Sequence, residues 1–139
     1  MSIEQFIGTY HGRGTWYEIN GDSAGYAIEQ CIEPISEGLK IELKHDHANG
    51  PTTTLECRFV SAVSHLYQVQ VADKVIGRGY CLNDSLSFYF DNKYLKPDLD
   101  SVTEINFRMA DPGELTCYGS STKNSAGNYI MWYEFMNRV

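Results

Sequence analysis

The sequence predicts an all-β protein, a closed antiparallel up-and-down barrel of about ten strands. Most of the chain divides into short segments rich in β-branched and aromatic residues, which Gly, Pro, Asn or Asp residues separate at hairpin-length intervals. Within these segments apolar and polar residues alternate with the period of two that is typical of a half-buried strand. Because closure removes both exposed edges of a sheet, many consecutive hairpin-linked strands favour a barrel.

The predicted strands follow one another along the whole chain, which we interpret as a single domain, residues 1–139. They are 13–20, 25–35, 39–45, 52–62, 65–72, 75–82, 85–91, 101–110, 114–120 and 127–138. The polar run 45–51 is predicted to be a loop, and the longest irregular stretch, 91–100, a mobile lid. A two-sheet sandwich is the alternative architecture, but its long crossover connections have no counterpart in loops this short.

The first eighteen residues predict how the chain begins and closes one end of the barrel. The apolar spacing within residues 2–7 suits a single helical turn that caps the barrel. The stretch 8–18 that follows carries glycine at positions 8, 12 and 14. Glycine inside a strand commonly marks a tight corner of a barrel or the close approach of a backbone or ligand. We therefore expect a sharply bent strand here.

The same stretch carries three short family motifs. Phe6-Ile7-Gly8-Thr9-Tyr10 resembles the "F-x-G-x-W" opening of fatty-acid-binding proteins and lipocalins, with Tyr10 in the tryptophan place. Residues 8–14 resemble the "G-x-W-x-G-x-G" opening of nitrobindin-type haem barrels. Gly14-Thr15-Trp16 is a second match to the lipocalin "G-x-W", six residues later. All three resemblances imply a calycin-like β-barrel, and they support a fold more than a function.

Composition argues against several classes of partner. The chain has 11 Lys and Arg against 18 Asp and Glu, a net charge of −7, and no basic cluster, so nucleic acid and anionic membranes would be repelled. The N-terminus lacks a signal-peptide pattern, and no apolar run approaches the roughly 20 residues of a membrane span. We expect a cytoplasmic protein unless a leader segment was removed.

The cysteines and histidines do not form a recognisable metal or redox motif. Four cysteines, at 31, 57, 81 and 117, lie far apart with no C-x-x-C pair, and reduced structural thiols are expected. His45 and His47 have a spacing that places both rings on one side of an extended chain, but a third ligand is missing, so solvated turn residues are the preferred interpretation. No metal and no cofactor are predicted.

A barrel wider than about eight strands leaves an interior cavity, and its predicted lining is apolar and partly aromatic. The inward residues are expected to be Leu39, Ile41, Leu43, Leu55, Phe59, Tyr67, Val69, Phe88, Phe90, Ile105, Phe107 and Met109. We expect a small hydrophobic or amphipathic ligand there, with Tyr67, Phe88 and Phe107 in contact with it.

Arg78 and Tyr80 are predicted to orient that ligand. If Ile76 and Leu82 of the same strand phase point inward, Arg78 and Tyr80 do so too, and a buried arginine needs a carboxylate partner. The alternative is a solvent-facing Arg78 paired with a surface carboxylate. Arg78-Gly79-Tyr80 also resembles the "R-x-Y" carboxylate clamp of fatty-acid-binding proteins, which lies on the final strand in that family. His11, within the glycine stretch, is a further candidate ligand contact.

Other functions stay open at this point. Closed barrels also house enzymes, of isomerase or lyase type, although no acid, base and nucleophile set is recognisable. The nitrobindin resemblance implies haem held by a late-strand histidine, but no histidine follows His65, and segment 128–136 offers Tyr and Met instead. That segment is apolar on both faces, so its outer face predicts a homodimer interface or packing beneath the N-terminal turn.

Overall fold

The computed structural model describes residues 3–47, 52–94, 101–122 and 129–139, which form one closed barrel of ten antiparallel strands. The strands are β1 (Gly8–Glu18), β2 (Ser23–Ile35), β3 (Gly38–His47), β4 (Thr53–Val63), β5 (Leu66–Val71), β6 (Lys74–Leu82), β7 (Ser85–Asp91), β8 (Val102–Asp111), β9 (Glu114–Thr122) and β10 (Tyr129–Arg138). Two short 3₁₀ helices, Ile3–Phe6 and Asn92–Tyr94, are the only helices among the described residues. The predicted fold class is confirmed.

The topology is an up-and-down meander. Each strand pairs with the next one in the chain, and β1 pairs with β10 to close the barrel. Neither helix in the described ranges has the length and apolar character to cross a membrane. The predicted lid begins with the 3₁₀ helix Asn92–Tyr94, and its remaining residues, 95–100, lie outside the described part of the chain.

The predicted loop 45–51 is wrong at its start. β3 continues through His45 and His47, which pair with Ile28 and Tyr26 of β2. The polar composition of the run predicts a loop, because a sequence alone does not distinguish an inward-facing histidine from a solvent-exposed one. Residues 48–51 lie outside the described residues.

The first 3₁₀ helix closes one end of the barrel, as the sequence predicts. Phe6 is fully buried, and the hydroxyl of the buried Tyr10 donates a hydrogen bond to the Phe6 carbonyl at 2.9 Å. Arg138, at the end of β10, donates to the Tyr10 hydroxyl at 2.9 Å and to the Gln5 carbonyl at 3.0 Å. Burial raises the pKa of Tyr10, so its hydroxyl stays a donor. These bonds tie the helix to the first and last strands.

The predicted inward orientation of the interior side chains is also confirmed, whereas a ligand cavity lined by them stays a prediction. Of the twelve residues expected to point inward, ten are buried, and Leu55 and Tyr67 are half-buried and pack against the same core. Alternate residues face the core in most of the described strands, as the pleat of a β-strand requires.

The expected orientation of Arg78 and Tyr80 is wrong. A bulge in the β5–β6 pairing leaves Ile76 unpaired between Val75 and Gly77, which both pair with β5. Beyond the bulge, the other set of alternating residues faces the interior. Ile76, Gly79 and Cys81 are buried, whereas Arg78 and Tyr80 are exposed. A side chain at Gly79 would collide with Phe88 and Phe59, so neighbouring strands fill the space that the sequence pattern assigned to β6.

All four cysteines are free thiols. Cys57, Cys81 and Cys117 are buried, and Cys31 is half-buried on β2. Burial raises the pKa of Cys57 to about 12 and also raises the pKa of Cys81 and Cys117. These three groups are therefore protonated and unreactive near neutral pH, since the thiolate is the nucleophile.

We expect a thiol titration to separate the two populations. At pH 8 the folded protein should react rapidly with an aromatic disulfide reagent at Cys31 alone, and the unfolded, unreduced protein should release four equivalents. A Cys31→Ser variant should lose the rapid phase and keep three slow thiols. Two or no thiols after unfolding would contradict the expectation that the cysteines are unbridged.

Candidate functional site

The described residues at the barrel end opposite the 3₁₀ plug line two adjoining cavities of about 280 and 360 Å³. His45 and Trp132 line both cavities, so we treat them as one site. We call this site the mouth chamber and define it by six of its aromatic, histidine and carboxyl side chains. These are Trp16, Tyr26, His45, His47, Trp132 and Glu134.

Glu134 is the buried charge of the mouth chamber. Its side chain is 1% exposed, and the Tyr26 hydroxyl donates a hydrogen bond to its Oε2 atom at 2.6 Å. The His45 Nε2 atom lies 3.2 Å from the same oxygen, but without hydrogen-bond geometry. In the described ranges no Lys or Arg forms an ion pair with Glu134. A buried carboxyl group without a Lys or Arg partner is rare and costly, and it is informative for that reason.

The protonation of the surrounding groups makes Glu134 an acceptor. Burial, reinforced by Glu134, raises the pKa of Tyr26, so its hydroxyl stays protonated and donates a hydrogen bond to the carboxylate. Burial likewise raises the pKa of Cys117 well above its usual range, with Glu134 adding to the effect. Cys117 is thus a neutral wall residue beside the carboxylate and not a thiolate nucleophile.

Two glycines explain how large rings fit at the mouth. Gly14 of β1 stands opposite both Tyr26 and Glu134 in the strand pairing, and a Cβ atom there would lie 2.5 Å from Cζ of Tyr26. Gly119 of β9 stands opposite Trp132, and a Cβ atom there would collide with the indole. Each ring lies flat over a glycine, which is the close approach that the glycine stretch predicts for β1.

The histidine pair shares this aromatic cluster. The Tyr26 ring lies 5.1 Å from the His45 ring and 5.2 Å from the His47 ring, centroid to centroid. The interpretation of these histidines as solvated turn residues is therefore wrong for His45, which is largely buried against Glu134. Within the described ranges, no group of three or more His, Cys, Asp or Glu side chains is arranged to hold a metal ion.

The six residues predicted to contact a ligand lie away from the mouth chamber. His11 is exposed and points outward, with Nε2 3.6 Å from Oε1 of Glu29. Tyr67 stacks on Phe59 with ring centroids 4.4 Å apart and lines a separate surface cavity near the plugged end. Phe88 and Phe107 pack against each other in the core. As described above, Arg78 and Tyr80 are on the outer wall.

The sequence contained signals for the residues that were missed. Glu134 shares the inward phase of β10 with Trp132 and Met136, so strict alternation places a carboxylate inside the barrel. Tyr26 has the same relation to Ile28 on β2. A buried polar group among the apolar, inward-facing residues of a strand is unusual, and here Glu134 and Tyr26 mark the site in this way.

Three of the late-strand residues considered as haem ligands do not face the interior. Tyr129, Met131 and Tyr133 are about half exposed on the outer face of β10. Met136 of the same segment is buried inside the barrel, so non-histidine ligation of haem stays a prediction.

A closed ten-stranded antiparallel meander with a short helix at one end is a calycin-like fold. No protein-family model and no curated protein matches the sequence. Solved structures do match. The S-type phycobiliprotein lyase CPES from Guillardia theta has a TM-score of 0.75 and 10% identity, over 99% of this chain and 90% of its own.

Two other solved structures are similar. Rv2717c from M. tuberculosis has a TM-score of 0.64 and 12% identity, over 99% of this chain and 94% of its own. A protein of unknown function from the DUF3598 family of Nostoc punctiforme PCC 73102 has a TM-score of 0.71 and 10% identity. All of this chain aligns with 49% of that protein, so this chain spans about half its length. At such identities the likeness establishes the fold alone.

Proposed function

We propose that this barrel binds a small, flat, largely apolar molecule in the mouth chamber, and that the molecule presents an N–H group to Glu134. The observation that carries the proposal is the buried Glu134 carboxyl group beside aromatic walls, which Tyr26 and His45 approach but which pairs with no Lys or Arg of the described residues. An apolar pocket with few fixed polar groups is the usual form of a small-molecule site.

The charge of the site supports a neutral or cationic ligand over an anionic one. A fatty-acid carboxylate in the mouth chamber would meet Glu134, and among the described lining residues no Lys or Arg would compensate it. Two like charges held in a poorly solvated site destabilise each other. An N–H donor instead gives the carboxylate a charge-assisted hydrogen bond. Glu134 therefore takes the place of Arg78 as the proposed polar contact of the ligand.

The aromatic walls support a flat, conjugated molecule. Trp16, Trp132 and Tyr26 offer ring faces and edges, and aromatic pairs gain stability beyond that of simple area burial. One structural neighbour is named a phycobiliprotein lyase. Linear tetrapyrroles (bilins), which combine a conjugated skeleton with pyrrole N–H groups, are therefore the first members of this class to test.

The chain contains two tryptophans, and both line the mouth chamber, so their fluorescence is a built-in reporter. We expect biliverdin dimethyl ester, which has no carboxylate, to quench this fluorescence on binding, and decanoate to bind much more weakly. Glu134→Gln should weaken biliverdin dimethyl ester about 10- to 100-fold, because a charge-assisted hydrogen bond contributes roughly 1.5–3 kcal/mol.

Glu29→Gln is the matched control, since it removes a carboxylate from the outer face of the barrel. It should leave the affinity unchanged. Thermal unfolding of both variants checks that each is folded. Equal affinities of wild type, Glu134→Gln and Glu29→Gln for the ester, or tighter binding of decanoate than of the ester, would refute the proposed role of Glu134.

Catalysis on such a molecule is the second candidate, and one observation favours it. The Tyr26 hydroxyl and the His45 Nε2 atom lie 2.6 and 3.2 Å from the same Glu134 oxygen, which places three groups of the acid–base kind side by side. Isomerase or lyase chemistry therefore stays a prediction, to be followed by the absorption spectrum of the bound bilin over time.

The outer face of β10 remains apolar and uncovered within the described residues. Met131 and Phe135 are each 59% exposed, and Tyr133 packs edge to face on Phe135. The N-terminal 3₁₀ helix inserts Phe6 at the plugged end instead, so the expectation that it covers this face is wrong. A homodimer through the last strand stays a prediction.

A further inference from the structure

Gln30 is the second unusual polar residue of the barrel interior. Its side chain is fully buried, and neither Nε2 nor Oε1 has a hydrogen-bond partner among the described residues. Buried amides in folded proteins are nearly always hydrogen-bonded, because an unpaired donor or acceptor retains the full penalty of leaving water. An interior amide with two free groups therefore needs a functional explanation.

Gln30 lies deeper in the barrel than the mouth chamber but on the same wall. It is an inward residue of β2, four positions beyond Tyr26, which is roughly 13 Å along an extended strand. Its pairing partner on β3 is Leu43, which lines the smaller of the two mouth cavities. Its partner on β1 is Tyr10, whose hydroxyl is already bonded to Phe6 and Arg138. Both hydrogen bonds of the Tyr10 hydroxyl are thus made with residues at the plugged end of the barrel.

We propose that Gln30 is the deep specificity residue of the binding site and that it pairs with a lactam or amide group of the ligand. This inference rests on the proposed function, since it extends the same ligand from Glu134 at the mouth inward to Gln30. The ligand would carry an N–H group at one end and a neutral N–H/C=O pair farther inside.

The chemistry of the amide selects this partner. A glutamine side chain offers a carbonyl acceptor and two N–H donors, and the two free atoms here are one of each kind. A lactam presents its own N–H and C=O side by side, so it can satisfy both atoms at once. A carboxylate only accepts and would face the Gln30 carbonyl, and it would also be repelled by Glu134. A hydrocarbon would leave both Gln30 atoms unpaired.

The test uses two probes on the folded protein. Biliverdin dimethyl ester carries terminal lactams, and its bis-O-methyl lactim ether keeps the skeleton and the pyrrole N–H but lacks the lactam N–H groups. We expect wild type to bind the lactam form 10- to 100-fold more tightly, measured by tryptophan quenching. This comparison does not depend on any variant folding.

Gln30→Met then tests the residue itself. The variant should bind both probes with similar affinity, and without ligand its melting temperature should be no lower than that of wild type, because an unpaired buried amide has been removed. Ile32→Met, the same substituent at the next inward position of β2, should keep the preference for the lactam.

The outcomes separate this inference from the proposed function. Equal binding of the two probes to wild type, or a lactam preference that survives in Gln30→Met, overturns the role of Gln30 and leaves that of Glu134 intact. Binding of neither probe to wild type overturns the proposed bilin-like ligand and this inference with it. Loss of the preference in Gln30→Met alone supports the assignment.

Discussion

Phe6→Ala should lower the free energy of unfolding by about 3–5 kcal/mol, the range for truncating a buried phenylalanine. Phe6 is fully buried at the plugged end, and its backbone carbonyl accepts the Tyr10 hydrogen bond. Truncation removes the apolar contacts and leaves a cavity that the rigid barrel end can only partly refill. It also weakens the attachment of the 3₁₀ helix on which the Tyr10 and Arg138 bonds depend.

Urea denaturation followed by tryptophan fluorescence measures this loss. Both tryptophans lie at the opposite end of the barrel, so their fluorescence reports unfolding of the whole barrel and not a local change at position 6. Phe135→Ala is the matched control. It removes the same atoms from a side chain that is 59% exposed, and it should cost well under half as much. Equal losses for the two variants would show that the helix does not plug the barrel.

The sequence predicts the fold well because most strands obey a local rule. In β3, Leu39, Ile41 and Leu43 alternate with charged residues, so the inward face is readable without knowledge of any partner strand. The β6 strand breaks the rule. Its bulge at Ile76 is fixed by pairing with β5 and by Phe59 and Phe88, which fill the space over Gly79. Such tertiary packing has no local signature, so Arg78 was assigned to the wrong side.

The candidate site was harder to predict because its residues are distant in sequence. Tyr26 and Glu134 are 108 positions apart and meet only because β1 separates their strands and has a glycine between them. The Arg78-Gly79-Tyr80 motif predicts an arginine clamp, whereas the structure brings together a carboxylate, a tyrosine and a histidine. The glycine at position 14 was recognised as a point of close approach, but the approaching group could not be named from the sequence.

Gly14→Ala should therefore damage the mouth chamber more than its small size suggests. A Cβ atom at position 14 would lie 2.5 Å from Cζ and 2.7 Å from the hydroxyl oxygen of Tyr26, so the ring must move. That movement breaks the 2.6 Å hydrogen bond to Glu134 and leaves the buried carboxylate less satisfied. We expect a loss of about 1–3 kcal/mol in stability, the usual cost of overpacking.

The same change should weaken binding of biliverdin dimethyl ester about tenfold or more, since Glu134 is no longer held in place. Gly25→Ala is the matched control on the adjoining strand, because a Cβ atom there makes only an ordinary contact of 3.7 Å with the Gly14 carbonyl oxygen. It should leave stability and affinity nearly unchanged. If both alanine variants behave alike, the ring of Tyr26 is not seated on Gly14. If Gly14→Ala loses stability but keeps its affinity for the ester, the Tyr26 hydrogen bond supports the barrel and does not position Glu134 for the ligand.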